Sequence, residues 1–228
     1  MIILLLLGIT ALLALLPSIW VRSIINKHHT PQDKFSFTGA EFSMDLLKTL
    51  GINDVKVELT NIGDHYDPKR KIIGLSRQNF YNKSLSAITI GSHEVGHALQ
   101  DYDNYRPLKW RTTLVAWVMP IERLGAGLMF LSPISMLITK IPYIGLLFLV
   151  SGFLSLFATI IIHAVTVPTE LDASFNRAVP LLLKTNLLNT SDQRTAKLIL
   201  LAAALTYLVA ALRSLLSVAR WWSILRRR

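Results

Sequence analysis

The residues with the plainest chemical meaning are His93-Glu94-Val95-Gly96-His97, an H-E-x-x-H pattern. The pattern carries meaning only on a helix. At about 100 degrees per residue, positions four apart are offset by only about 40 degrees around the axis, so both imidazoles can reach one ion. Glu94 projects about 100 degrees away from His93, near the ion yet suited to hold a water instead of joining the coordination sphere. That geometry points to one Zn2+ ion and hydrolysis of a peptide bond, with His93 and His97 as ligands and Glu94 as general base. The bland alternative is a chance match on a core helix.

Catalytic zinc usually takes three protein ligands and keeps one position open for water. The chain has no cysteine, so the third ligand is His, Asp or Glu, and thiol nucleophiles and disulfides are excluded. Glu170, in Pro168-Thr169-Glu170-Leu171-Asp172-Ala173-Ser174, is the best candidate. It stands just after a long apolar run. If that run and the one before it form a hairpin, the chain returns to the side it left after His97. A Glu at a helix N-terminus also occurs simply because the dipole favours it. Asp172, His65 and His163 are weaker rivals, and a histidine inside a span more often bonds a neighbouring helix. Tyr66 is a candidate transition-state stabiliser, although Asp64 to Pro68 reads equally as a hydrogen-bonded turn.

These residues need elements to hold them. Ser84 can cap a helix running to about Asp101, and along it Leu85, Ile88, Val95 and Leu99 form an apolar stripe nearly opposite the two histidines. One face should pack while the other presents ligands. Upstream, Thr38 with Glu41 fits a capping box opening a helix that Gly51 ends. Val55, Val57 and Leu59 alternate with polar residues as a half-buried strand would, Asn61 to Lys71 is rich in turn residues, and Ile72 to Leu75 reads as a second strand. Residues 22–111 therefore read as a small water-exposed α+β catalytic unit.

The remainder is apolar. Of the 228 residues, 52% are hydrophobic, too many for an ordinary wetted domain. Residues 1–21 read as a first transmembrane helix; no basic stretch precedes the run and no small-x-small site follows it, which disfavours a cleaved signal. Residues 112–167 read as a hairpin of two more. The first of these is interrupted by Glu122 and Arg123 and could bend at Pro120 or Pro133, and Pro168 stops the second. A polar segment, 168–197, carries the third ligand. A fourth helix, 198–219, holds Arg213, and a basic tail, 220–228, follows with Trp221 and Trp222 as interfacial anchors. The formal charge of +10 flanks apolar runs instead of interleaving with aromatics, which suits a lipid bilayer and not nucleic acid. The excess of Lys and Arg on the catalytic side places that unit in the cytoplasm. Glu122, Arg123 and Arg213 would also fit a transporter, and a structural metal would fit a non-catalytic scaffold. Neither has use for Glu94 between the two histidines.

Several spaced motifs, taken together, resemble one family. Asp64-His65-Tyr66-Asp67-Pro68, Leu75-Ser76, then Ser84 leading into His93-Glu94-Val95-Gly96-His97-Ala98-Leu99-Gln100, and downstream Glu170-Leu171-Asp172-Ala173-Ser174, look like the YugP-like neutral zinc metallopeptidases of bacterial membranes. The likeness spans roughly residues 38 to 178. It implies a peptidase of the bacterial plasma membrane, acting on protein or peptide substrates, whose metal site pairs the two histidines with a downstream glutamate. The chain is also distantly similar to the HtpX-like membrane proteases, in which an Asp lies four residues after the ligand Glu. Here Ser174 stands in that place, leaving Ser174 and Asp172 as candidates for orienting the zinc histidines. The fold expected is mainly α, a multi-pass membrane protein with about four transmembrane helices and a small α+β zincin-like catalytic unit.

Overall fold

The computed structural model describes residues 2–28, 30 and 35–225. His29 and Arg226 to Arg228 of the basic tail lie outside the described residues. The chain divides into two compact units, one formed by Pro17–Lys109 with Val167–Thr206, the other by Met1–Leu16, Trp110–Thr166 and Tyr207–Arg228. The candidate site residues belong to the first, apart from the rival ligand His163, which falls in the second.

That unit is built around a buried helix. Helix α1 (Ile2–Lys27) runs on past Val21, and its C-terminal end is tied to the central helix where Ser86 donates through Oγ to Ile25 O at 2.9 Å. Helix α2 (Gly39–Thr49) opens on the expected capping box: Glu41 N donates to Thr38 Oγ1 at 3.2 Å and Thr38 N to Glu41 Oε2 at 2.8 Å. Its apolar face, Ala40, Phe42, Leu46 and Leu47, is buried, and Gly51 leaves the helix at φ +72, a conformation that suits only glycine well.

Three strands follow, β1 (Lys56–Leu59), β2 (His65–Asp67) and β3 (Ile72–Leu75), in the order β1-β3-β2. β3 is central, parallel to β1 with Val57 opposite Ile73 and antiparallel to β2 with Tyr66 opposite Ile73. Two sequence expectations change here. The stretch Asn61 to Lys71 contains a strand, His65–Asp67, with its turn residues divided between the β1–β2 connection, where Gly63 adopts φ 95, and the β2–β3 connection. There Asp67 Oδ1 accepts from the backbone of Lys69 and Arg70, and Lys71 adopts φ 55. Leu59, at the end of β1, is 46% exposed instead of packed.

After the short α3 (Arg77–Tyr81), helix α4 (Leu85–Tyr102) starts at Ser84, whose Oγ accepts from Ala87 N at 3.2 Å. One face packs and the other presents the two histidines, as expected, and both faces are buried. Ala87, Ile88 and Val95 are buried, and so are Ser92, His93, Glu94, His97 and Gln100 around the rest of the circumference. The ligand face is covered by a second helical segment.

That segment arrives at the end of α6 (Pro142–Leu171), which follows α5 (Arg106–Thr139). Pro168 does not stop α6. A proline removes one N–H and crowds the carbonyl four residues back, a loss that packing can outweigh. Helix continues through a π-helical segment, Asp172–Ala178, in which Val179 N bonds back five residues to Ser174 O, and then through α7 (Val179–Lys184). Ala173, Ser174 and Ala178 are buried, packing this segment onto α4. Helix α8 (Thr190–Leu225) begins well before Leu198, and its early residues Ala196, Ile199 and Leu200 are buried within this same unit.

In the other unit, α5 and α6 meet through small residues: Gly125 lies against Ser155, and Ser132 Oγ donates to Gly145 O at 2.9 Å. Large apolar side chains face outward along both helices, among them Trp117, Leu124, Leu147, Leu154 and Leu137, the last 79% exposed. Among the described residues, two helical runs are long and apolar enough to cross a membrane, Pro142–Lys184 and Thr190–Leu212. The expected four spans thus reduce to two by this measure. The others fall on α1 and on α5, which carries Glu122 and Arg123 mid-helix.

Candidate metal centre

The i, i+4 spacing of α4 sets His93 and His97 side by side, their ring centroids 4.7 Å apart and their planes at 77°. Glu170, in the last turn of α6, faces both: its Oε2 lies 3.2 Å from His93 Nε2 and 3.4 Å from His97 Nε2. Among the described residues these three form the group of His, Asp and Glu able to hold a metal, with ligand atoms all within 4.8 Å of one another. Glu170 is only 2% exposed, and Glu94 is buried beside His93 on the same helix. Of the rival third ligands, His65 lies on β2 with Nδ1 2.8 Å from Gly63 O, and His163 lies within α6; neither joins the group.

The spacing fits a small tetrahedral ion. Bonds of about 2.0–2.1 Å meeting near the tetrahedral angle put ligand atoms about 3.3 Å apart. The observed 3.2 and 3.4 Å separations match. Two imidazole nitrogens and a carboxylate oxygen are also the donor types of a catalytic zinc site that leaves one position for water.

Behind the ligands lies a supporting layer. Ser174 Oγ sits 3.1 Å from His93 Nδ1, and Gln100 Oε1 sits 2.9 Å from His97 Nδ1. Gln100 Nε2 donates to Thr169 O and to Asp172 Oδ2, both at 2.8 Å. Asp172 also accepts from Asn176 Nδ2 at 2.9 Å and from Arg177 Nε at 2.8 Å, and Arg177 reaches on to Asp103. Ser174 therefore touches a ligand directly, whereas Asp172 reaches His97 only through Gln100. Sequence reasoning did not single out Gln100, although it lies three residues past His97 on the motif helix. Glu170, in the last turn of α6, and Ser174, in the π segment four residues on, both face α4. Gly96 allows the close approach, because a Cβ there would meet Ala173 O at 2.6 Å.

Tyr66 donates its hydroxyl to Asp101 Oδ2 at 2.7 Å, one turn beyond His97, and Lys71 Nζ reaches the same oxygen at 2.8 Å. Burial, and then the Asp101 carboxylate it bonds, push the Tyr66 phenol well above its ordinary range. The bond to Asp101 likewise raises the Lys71 ammonium. To serve an oxyanion, Tyr66 would have to exchange this partner.

A helix-borne pair of histidines and a buried glutamate brought to them from a distant helix form a group that could hold a metal ion, in a chain with two apolar runs long enough to cross a membrane. The chain belongs to the family described as "putative neutral zinc metallopeptidase", whose model matches residues 2–226. It is 34% identical over 206 residues to the "putative membrane protease YugP" of Bacillus subtilis (strain 168), an overlap covering 88% of this chain and 86% of that protein. No solved structure matches it.

Proposed function

We propose that the chain is a zinc-dependent endopeptidase of the bacterial plasma membrane, with His93, His97 and Glu170 holding one ion and Glu94 as general base. The observation that carries this reading is the meeting of three buried ligand groups, with Glu170 Oε2 3.2 and 3.4 Å from the two histidine Nε2 atoms, on the helix that also carries buried Glu94. Bound there, zinc supplies Lewis acidity that polarises the scissile carbonyl and makes water a nucleophile near neutral pH. Glu94 takes the proton as the water oxygen bonds to the carbonyl carbon, then passes it to the amine as the C–N bond breaks. Ser174 and Gln100 hold the imidazoles in place meanwhile.

The domain plan follows from the same reading. Residues 22–111 and 168–197 make a zincin-like catalytic unit, and helices at 1–21, 112–167 and 198–219 anchor it in the bilayer as four spans. The excess of Lys and Arg flanking the catalytic side orients that unit to the cytoplasm. Glu170 follows Val167, the end of the apolar stretch, by only three residues, which favours membrane-tethered or unfolded membrane proteins as substrates, cut in juxtamembrane loops.

Glu94→Gln is the direct test. It should keep one zinc per chain and lower peptidase turnover by about 10²–10⁴-fold, the usual contribution of a general base. Full turnover in this variant removes Glu94 from the mechanism. Absence of zinc from the wild type removes the reading altogether.

A further inference from the structure

We propose that Gln100 is a positioning residue for the metal centre, fixing His97 in the one tautomer that can offer Nε2 as a ligand. The inference rests on the zinc reading above and adds to it a residue and a direction of hydrogen bonding.

Donors and acceptors around Gln100 fix its orientation. Gln100 is fully buried, and its amide has one nitrogen that donates and one oxygen that accepts. On one side lie Thr169 O and Asp172 Oδ2, each 2.8 Å away. A carbonyl can only accept, and so can a carboxylate, so the NH2 group must face them. The orientation of the amide is thereby settled by its partners. Oε1 then faces His97 Nδ1 at 2.9 Å, and that contact is a hydrogen bond only if Nδ1 carries the proton. In the neutral ring the proton on Nδ1 leaves a lone pair on Nε2. Nε2 is the atom turned toward Glu170 Oε2 at 3.4 Å, so two acceptors confront each other across a gap that suits a cation.

His93 has no equivalent constraint. Its Nδ1 meets a Ser174 hydroxyl, which donates or accepts with equal ease. The amide is itself held. Asp172 is fixed by Asn176 and by Arg177, and Arg177 is clamped by Asp103 and lies over the Tyr105 ring at 5.6 Å. A polar chain thus runs from the far end of α4 through the π segment to one zinc ligand. In the HtpX-like pattern an Asp would stand at Ser174; here the anion stands at Asp172 and acts through Gln100.

The test uses the full chain in detergent. Zinc affinity is measured by competition with a chromophoric chelator, and histidine tautomers by 15N NMR of selectively labelled protein. Gln100→Leu, which keeps the volume and removes the bond, should weaken zinc binding by about 10–100-fold. In the zinc-loaded wild type, His97 should show a protonated Nδ1 and a ligated Nε2, a measurement that needs no variant to fold. A wild-type spectrum with Nδ1 ligated overturns the inference, as does a Gln100→Leu chain that binds zinc as tightly as wild type. A wild type that binds no zinc overturns the metal reading and this inference with it, so the two failures are distinguishable.

Discussion

Gly96→Ala perturbs the site without touching a ligand, and two opposing effects set its magnitude. Alanine favours the helix interior over glycine by about 0.8–1.0 kcal/mol. The added Cβ would lie 2.6 Å from Ala173 O and 3.3 Å from Ala173 C, where ordinary contact begins near 3.4 Å. Backbone atoms cannot swing aside, so the π segment must retreat by about 0.8 Å, and overpacking of this kind costs about 1–3 kcal/mol. The two nearly cancel for the fold, leaving it from unchanged to about 2 kcal/mol less stable. They do not cancel for the metal. Ala173 is three residues from Glu170 and adjacent to Ser174, and metal–ligand distances tolerate only about ±0.2 Å.

A retreat of that size should weaken zinc by about 100-fold, the upper end of what supporting residues deliver. At a free zinc concentration of 100 times the wild-type Kd, bound metal stabilises the wild type by about 2.7 kcal/mol, and the variant by only about 0.4 kcal/mol. For a chain of this size each kcal/mol moves Tm by about 2–4 °C. The gap between melts in zinc and in chelator should therefore shrink from roughly 5–11 °C to about 1–2 °C. An unaltered gap in Gly96→Ala would show that close packing of α4 on the π segment does not set the ligand geometry.

Two further outcomes follow from the same contacts. Glu170→Gln replaces the anionic ligand by a neutral amide, so metal analysis of the purified variant should find well under one zinc per chain; a full equivalent would mean that another group completes the site. Tyr66 should make the fold sensitive to alkali. Its phenol titrates above its ordinary value of 10.0 in the folded chain, so past that pH the native state keeps a proton that the unfolded chain releases, and stability falls as pH rises. Lys71, raised by the same Asp101, adds to the fall above 10.5. Melts across the alkaline range should show a shallower decline in Tyr66→Phe, and parallel curves for the two proteins would count against the Asp101 contact.

Local chemistry was legible where it depends on neighbours in the chain. Thr38 and Glu41, Ser84, and His93 with His97 lie within four positions of one another or of the N–H they cap, so helix periodicity alone brings them together. The strand at Ile72 to Leu75 was visible as an apolar run, while β2 hid among turn residues because only three residues pair. Pro168 misled for a related reason: a helix breaker predicts a stop from local sterics, but burial of Ala173, Ser174 and Ala178 against α4 carries the helix past it.

The sequence by itself determined the two histidines, Glu94 between them, the capped helix that aligns the histidines, and the apolar runs. Each of these follows from residue type and a fixed rise and rotation per residue. The sequence also made Glu170 the leading third ligand, from its place after the apolar run; tertiary structure alone brought it to the histidines. His93 and Glu170 stand 77 positions apart, and nothing in helix periodicity chooses Glu170 over Asp172, His65 or His163. That choice comes from how the π segment packs across Gly96, and the same packing sets Gln100 between His97 and Asp172.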